Sequence, residues 1–469
     1  MTPTMSLDWK DSPMRLTVIG CGHLGATHAA CMAEIGHDVL GIDVDEGKVD
    51  LLNSGRAWFM EPGLDELLAR HTRSGRLRFT TSFEEAAAFG TVHFLSVGTP
   101  GLPSGDGYDL SQLHGAIAAL APHLTEPALV IGKSTVPPGT TSRLASQLRA
   151  SAPAGHAVEV AWNPEFLREG HAVPDTLRPD RIVVGVPGMA AEATVREVYL
   201  PMTEAGVPLV VTDEVTAELV KGAANAFLAT KVSFINAMAD ICSWTGADVA
   251  VLADAVGMDQ RIGRAFLTAG LGYGGGCLPK DVRGLGEFAV TAGAKGAATL
   301  LSVVDEINSG RRQQVVDLVQ GLLGDLAGKR IALWGAAFKP GTDDVRDSPG
   351  LDVADRLARL GAEVVVYDPQ ATGNALVAFP HLRYGDSAVG AAHQADAVLV
   401  VTAWPEFATA DPAATAAAAA GRLLIDACQG INPAPWRAAG WTVSAPFPTP
   451  DYPERSPVTP DTAPGSRQG

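Results

Sequence analysis

Cysteine and positive charge are both in short supply across these 469 residues. The five cysteines, at 21, 31, 242, 277 and 428, are odd in number and scattered. They lack the paired spacing of a metal site, so neither a disulfide framework nor a bound metal is expected. A reducing compartment, the cytoplasm, fits this usage. With a formal net charge of −17 the sequence shows no basic patch, so neither nucleic acid nor an anionic membrane surface is expected as a partner. No unbroken apolar run reaches the ~18 residues of a membrane span. Residues 1–14 lack the apolar stretch of a secretory signal, and Met5 and Met14 are further candidate starts. Residues 447–469 are rich in Pro, Thr, Ser and Asp with little to bury, and are expected to be disordered.

What is present is a chain long enough for two or three domains. Residues 16–19, 39–42, 92–97, 128–131 and 158–162 are short apolar runs that end at turn residues, with helical stretches between them. That alternation predicts a parallel, doubly wound sheet with ligands beyond the carboxyl ends of its strands. From 215 to 257 punctuation nearly vanishes and apolar residues recur at helical spacing, which predicts a long helix or a pair of them. Four more strand-like runs, at 331–334, 364–367, 397–401 and 423–425, open a second α/β unit. The expected architecture is α/β, with two Rossmann-like doubly wound lobes joined by a central helical domain. Its boundaries are 14–212, 213–320 and 328–446, followed by the tail 447–469. The Ala-rich central helix is expected to pack against a second copy, giving a homodimer or a larger homo-oligomer.

Gly20-Cys21-Gly22-His23-Leu24-Gly25 spells GxGxxG between a predicted strand and a predicted helix, and Asp43 ends the next strand. Glycines there allow a tight turn and let a pyrophosphate approach the helix N-terminus. Asp43 would accept hydrogen bonds from a ribose diol and repel a 2′-phosphate, so NAD is expected over NADP. Lys48 is a second candidate for that ribose. His23 reads as a solvent-edge residue. The second lobe has Gly335-Ala336-Ala337 and an acidic strand end, Asp368, without the glycine fingerprint; it is expected to bind a different nucleotide or to be structural.

The segment from Gly272 to Asp281 (GYGGGCLPKD) carries four glycines in five residues, which suits neither helix nor strand. Cys277 is therefore expected on a tight loop, with Lys280 and a helix N-terminus favouring its thiolate. The other four cysteines suit burial as small hydrophobes. Lys133-Ser134-Thr135-Val136-Pro137 and the run Asn163 to Gly170 are polar clusters at strand ends. Lys221 and Asn225 stand one helical turn apart, on one face, among small neighbours.

These segments resemble the UDP-glucose/GDP-mannose dehydrogenase family over residues 14 to 446. The matching stretches are GCGHLG, FMEPGLDELL, VGTP, GKSTVPPGT, NPEFLREGHAVPDTLRPDRIVVG, KGAANAFLATKVSFINAMAD, RIGRAFLTAGLGYGGGCLPKD and AAFKPGTDDVRDSP. His23 replaces a common Tyr, Gly276 a common Ser, and Leu278 the Phe usual in the UDP-glucose branch. The resemblance implies a two-step, four-electron oxidation of a nucleotide-sugar C6 alcohol by NAD, with UDP-glucose the expected substrate and Cys277 the covalent nucleophile. It implies oxyanion stabilisation by Lys221 and Asn225, base catalysis by Glu165, and water positioning by Thr135 and Asp281. Besides the glycine turn and Asp43, it implies cofactor contacts at Leu24, Lys48, Thr99, Thr135, Glu169, Lys280 and Arg346. For the UDP-sugar it implicates Glu165, Phe166, Leu167, Arg168 and Glu169, with Lys221 and Asn225. Further along the chain it implicates Phe266, Leu267, Gly270, Gly274 and Lys339, with Arg261 reaching the site of a partner subunit. Alternatives are a GDP-mannose or UDP-N-acetylhexosamine dehydrogenase, a two-electron hydroxyacid dehydrogenase, and a non-catalytic nucleotide-sugar binder.

Overall fold

The computed structural model describes residues 13–102 and 107–447. Valine-, isoleucine- and leucine-rich strands buried on both faces build a sheet that helices cover on each side. Its strands are β1 Arg15–Ile19, β2 Asp38–Ile42, β3 Leu77–Thr80, β4 Val92–Leu95, β5 Ala128–Gly132, β6 Val158–Trp162, β7 Ile182–Gly185 and β8 Leu209–Thr212. They lie in the order β3-β2-β1-β4-β5-β6-β7-β8. All neighbours are parallel except β6 and β7, which meet antiparallel at Trp162 and Gly185. The wholly parallel expectation fails at that pair. The link between them, residues 163–181, carries only the short helix Ala172–Leu177 and returns the chain to run antiparallel beside β6.

The second lobe is a six-stranded parallel sheet. Its strands are β9 Arg330–Trp334, β10 Glu363–Tyr367, β11 Arg383–Tyr384, β12 Ala397–Val400, β13 Leu423–Asp426 and β14 Thr442–Ser444. Their order is β11-β10-β9-β12-β13-β14. The edge strands β11 and β14 are too short to show a pattern in sequence. Trp334 lies in the middle of this core, with its indole N–H donated to the Ala388 carbonyl at 3.0 Å, so its burial leaves no polar group unpaired.

Between the lobes runs the central helix Glu214–Thr245. The Asp213 side chain caps it by accepting the Thr216 N–H, and Gly246 ends it at φ 73°. The helix Val249–Gly257 follows, so the predicted helical stretch is a pair. The helices Leu278–Thr291 and Lys295–Leu323 pack against the central helix. Val315, Val316 and Val319 of the last helix enter the second lobe's core beside Ile331 and Leu333. On the central helix Phe227, Phe234 and Ile241 recur every seven residues and are exposed, with Trp244 92% exposed beside them.

Of the predicted tail, residues 448–469 lie outside the described residues. Its first residue, Phe447, is buried among Ile235, Ala239 and Leu267, under the Arg311 guanidinium. The boundary is corrected there, because an aromatic ring at that point has a pocket to fill. Among the described residues no helix is long and apolar enough to cross a membrane, and no group of His, Cys, Asp and Glu could hold a metal ion.

Candidate active site

A cleft of about 1410 Å³ opens at the carboxyl ends of the first lobe's strands, roofed by residues 343–347 and Asn374 of the second lobe. The three glycines of the turn are required for three different reasons. Gly20 holds φ +88°, and a Cβ there would strike Val97 at 2.7 Å. A Cβ on Gly25 would meet the Gly20 carbonyl oxygen at 1.8 Å, so that glycine lets the helix His23–Glu34 close on the strand. Gly22 faces open space on the cleft wall. Asp43 Oδ2 accepts the Cys21 N–H at 2.9 Å, and Oδ1 accepts the Asp45 N–H at 3.1 Å. Each oxygen keeps a lone pair for a ribose diol. An open glycine turn, a helix N-terminus and a carboxylate at the strand end fit a dinucleotide. The Asp43 charge fits NAD and opposes a 2′-phosphate.

Leu24, Lys48, Thr99 and Thr135 line the same cleft. The Lys48 ammonium lies over the Trp58 ring at 4.8 Å. The Thr99 hydroxyl donates to the Thr135 carbonyl at 2.7 Å, tying two strand ends together. Glu218, on the central helix, accepts the Gly139 and Thr141 N–H groups and fixes the far end of the same loop. His23 does not sit at a solvent edge. It stacks on Phe59 at 4.0 Å, both ring nitrogens are buried without a hydrogen bond, Nε2 stands 3.9 Å from Glu61 Oε2, and burial, with Arg346 nearby, lowers it to about 4. Phe59, distant in sequence, supplies the cover that hides it.

Cys277 is exposed at the cleft floor, as the residue before the helix Leu278–Thr291. Its glycines are explained by the second lobe pressing on them. A Cβ at Gly274 would strike the Asp347 carbonyl at 2.4 Å, one at Gly275 the Phe338 ring at 2.8 Å, and one at Gly276 the Arg346 guanidinium at 2.4 Å. Gly275 N–H donates to the Arg346 carbonyl at 3.0 Å. The thiol opens to the cleft but is surrounded by protein on its other sides. This burial pushes it up to about 12, against the pull of Lys221, and Glu165 and Asp281 push the same way. The expectation that Lys280 favours a thiolate is corrected. Lys280 is spent on Asp281, its Nζ 2.6 Å from Oδ1 and over the Tyr108 ring at 4.6 Å. The cations that act on the sulfur are Lys221 and Arg346.

Lys221 and Asn225 are buried side by side under the floor. Lys221 Nζ lies 3.0 Å from Glu165 Oε1. Burial works against its ammonium, but Glu165, with Cys277 and Asp281, raises it above its ordinary value. Asn225 Nδ2 donates to Asp281 Oδ2 at 2.6 Å, and Asp281 is fully buried. Of the expected catalytic set, four residues fall into two pairs, Lys221 with Glu165 and Asn225 with Asp281, beside Cys277, while Thr135 stands on the cleft wall.

The run after β6 joins the lobes. Glu165 Oε2 accepts the Leu167 N–H at 2.7 Å, which aims its other oxygen at Lys221. Glu169 Oε1 meets Arg346 at 2.9 Å, while Oε2 is buried beside the cleft. Burial and the neighbouring Asp344 raise the Glu169 carboxyl well above the carboxylate range. Lys339 donates to the Glu169 carbonyl. Glu61 has no role assigned from sequence, yet it accepts the Gly170 and Ala172 N–H groups at 2.8 Å each and fixes this run. A buried glutamate inside FMEPG is the one signal that pointed to it.

Several implied substrate residues stand apart from the cleft lining. Phe166 lies under the Arg181 guanidinium at 3.7 Å, and Arg168 is turned onto Asp175 at 2.7 Å. Phe266 adopts φ 65°, Leu267 is buried in the helical core, and Gly270 donates to Asn236 at 2.9 Å next to the second lobe's Ala427. Arg261 is held by Asp259 with its side chain 89% exposed. Leu278 packs on the cluster of Val282 and Leu301 and does not line the cleft.

With that geometry in place, known proteins match throughout. The models of the UDP-glucose/GDP-mannose dehydrogenase family match residues 14–203 with the NAD binding domain, 215–310 with the central domain and 332–433 with the UDP binding domain. A UDP-glucose 6-dehydrogenase of Haloferax volcanii is 43% identical over 406 residues, covering 85% of this chain and 93% of its own. One from Rhizobium meliloti is 42% identical over 402 residues, covering 85% and 91%. A solved UDP-glucose dehydrogenase from Pyrobaculum islandicum superposes with a TM-score of 0.86 at 37% identity, covering 93% of this chain and 98% of that one.

Proposed function

The chain belongs to the UDP-glucose/GDP-mannose dehydrogenase family, and on that premise we infer that it oxidises UDP-glucose to UDP-glucuronate with NAD. The observation that carries the reading is Cys277 on the floor of a dinucleotide cleft, flanked by the Lys221–Glu165 and Asn225–Asp281 pairs. NAD, when bound, supplies the hydride acceptor for each of two oxidations at C6.

The chain's residues handle protons, oxyanions and the covalent bond. Glu165 takes the alcohol proton in the first oxidation. The Cys277 sulfur then adds to the aldehyde carbon. Glu165 first gives the alcohol proton up to solvent; an S–C bond then forms, the thiol proton passes to the freed Glu165 carboxylate, and the carbonyl pair becomes an alkoxide stabilised by Lys221 and Asn225. A thiol held near 12 is protonated at rest, so it adds only where a base stands ready. The second oxidation leaves a thioester. Water positioned by Thr135 and Asp281 attacks it, the C–S bond breaks, and the sulfur is reprotonated. One UDP-glucose, two NAD⁺ and one water give UDP-glucuronate, two NADH and three protons. Glu169, Lys339 and Arg346 bring both lobes to the charged groups of the ligands.

The exposed Phe227, Phe234 and Ile241 stripe supports a homodimer through the central helix, with exposed Arg261 free to reach the partner's site. Five free cysteines support a cytoplasmic location. The deciding measurement is NADH yield with a panel of UDP- and GDP-sugars. Two NADH per UDP-glucose is expected, and folded protein that turns over none of them overturns the reading. Light scattering at micromolar concentration tests the dimer, which a stable monomer would overturn.

A further inference from the structure

Lys133, just beyond β5, is 7% exposed, and its ammonium makes one hydrogen bond among the described residues, to Asn163 Oδ1 at 2.8 Å. It also stands 5.8 Å from the Phe94 ring. A buried ammonium without a carboxylate in contact is costly and is not kept for stability alone. Burial brings it down to about 8, with Glu165 pulling the other way.

Asn163 is fixed from every side. Its Oδ1 also accepts the Tyr199 hydroxyl at 2.5 Å, its Nδ2 donates to the Val183 carbonyl at 2.8 Å, and its N–H donates to the Gly132 carbonyl at 2.7 Å. Two residues on comes Glu165. Beside the ammonium lies a small cavity of about 50 Å³, lined by Lys133, Asn163, Glu165, His28, Tyr199 and Arg181. One water needs roughly 10–15 Å³ by the same measure, so about three fit. His28 Nε2 is buried there without a protein partner, as a water-bonded group would be.

We propose that Lys133 is a positioning residue for Glu165, acting through Asn163 and through water held in this cavity; the proposal rests on the reading of Glu165 as the base. The charged groups facing Glu165 are Lys133 and Arg181 from this side, with Asp175 on the cavity wall. Lys221 faces it from the central helix, and Cys277 and Asp281 from the cysteine loop. Burial keeps His28 neutral. Lys133 therefore adds a second positive charge behind the carboxylate.

The test is kcat against pH for Lys133→Met and Glu165→Gln, with NAD affinity by fluorescence and KM for UDP-glucose. Lys133→Met keeps the stem, and Asn163 Oδ1 keeps the Tyr199 hydroxyl, so the variant is expected to fold. Its kcat should fall ~10-fold, with KM and NAD affinity within about twofold. The acid limb of its profile should move to higher pH, because a positive charge beside the base is gone. Should it not fold, Lys133→Gln, a neutral donor, reads the same limb. Near-normal turnover in Glu165→Gln overturns the base reading itself. If Glu165→Gln loses turnover while the Lys133 variants keep the wild-type kcat, or lose kcat without moving the limb, the Lys133 proposal alone falls.

Discussion

The two lobes repeat one plan and differ in one corner of it. Counted within each lobe, six strands follow the same order. In each, a glycine of positive φ closes the first strand and donates its N–H to the end of the second, Gly20 to Ile42 and Gly335 to Tyr367, both at 2.8 Å. In each, the second strand leads to an aspartate. Asp43 accepts one N–H per oxygen and borders the cleft. Asp368 is 2% exposed. Its Oδ2 accepts the Ala336 and Ala337 N–H groups and the Trp404 indole, and its Oδ1 accepts Gln370 and Ala371. After β4 the first lobe places Val97-Gly98-Thr99 and leaves room; after β12 the second places Trp404 and fills it. Strand order alone therefore does not make a dinucleotide site. Spare acceptor capacity and empty space at the strand end do.

The comparison can be broken most severely by removing the chemistry and leaving both lobes intact. Cys277→Ser should lower carboxylate formation at least ~10³-fold with NAD affinity unchanged, read from product analysis and cofactor titration. An unchanged rate would contradict the covalent path. Next in size is the contrast between the aspartates. Asp368→Ala strands four buried donors and should cost ~3–5 kcal/mol in denaturant unfolding, whereas Asp43→Ala should cost about 1 kcal/mol. Equal losses would erase the distinction. Asp43→Asn should instead weaken NAD ~10-fold or more and narrow the preference over NADP, checked by competitive titration. The finest effect concerns a cation that the cysteine feels. With the thiol near 12, alkylation of Cys277 by iodoacetamide should still be rising at pH 10, about tenfold per unit. Lys221→Met, which removes a charge that lowers the thiol, should slow it at pH 8. Lys280→Met should leave it within about twofold, and a larger change would restore Lys280 to the sulfur.

The open corner was legible in the sequence because its parts are close together along the chain. A six-residue turn, one aspartate and a helical pair one turn apart carry their geometry in their spacing. The glycine run before Cys277 was legible as a tight loop, but not the reason for it, since Phe338, Arg346 and Asp347 approach it from another lobe. The same limit explains Glu61, which meets Gly170 and Ala172 only in the folded chain, and His23, covered by Phe59. Lys280 is a different case, because its pairing with its sequence neighbour Asp281 shows only once both side chains are placed. Phe447 shows the converse: a polar, proline-rich stretch can begin on an anchored aromatic ring.

The pressure of Phe338, Arg346 and Asp347 on the glycine run also bears on how the protein is made. A nascent chain that has left the ribosome as far as Asp281 already carries Lys221, Asn225, Glu165 and Cys277. It has nothing to shape the loop beneath them. Assembly of the cleft floor waits for the lobe synthesised last, so a truncated or half-finished translation product holds these side chains in an unfinished arrangement.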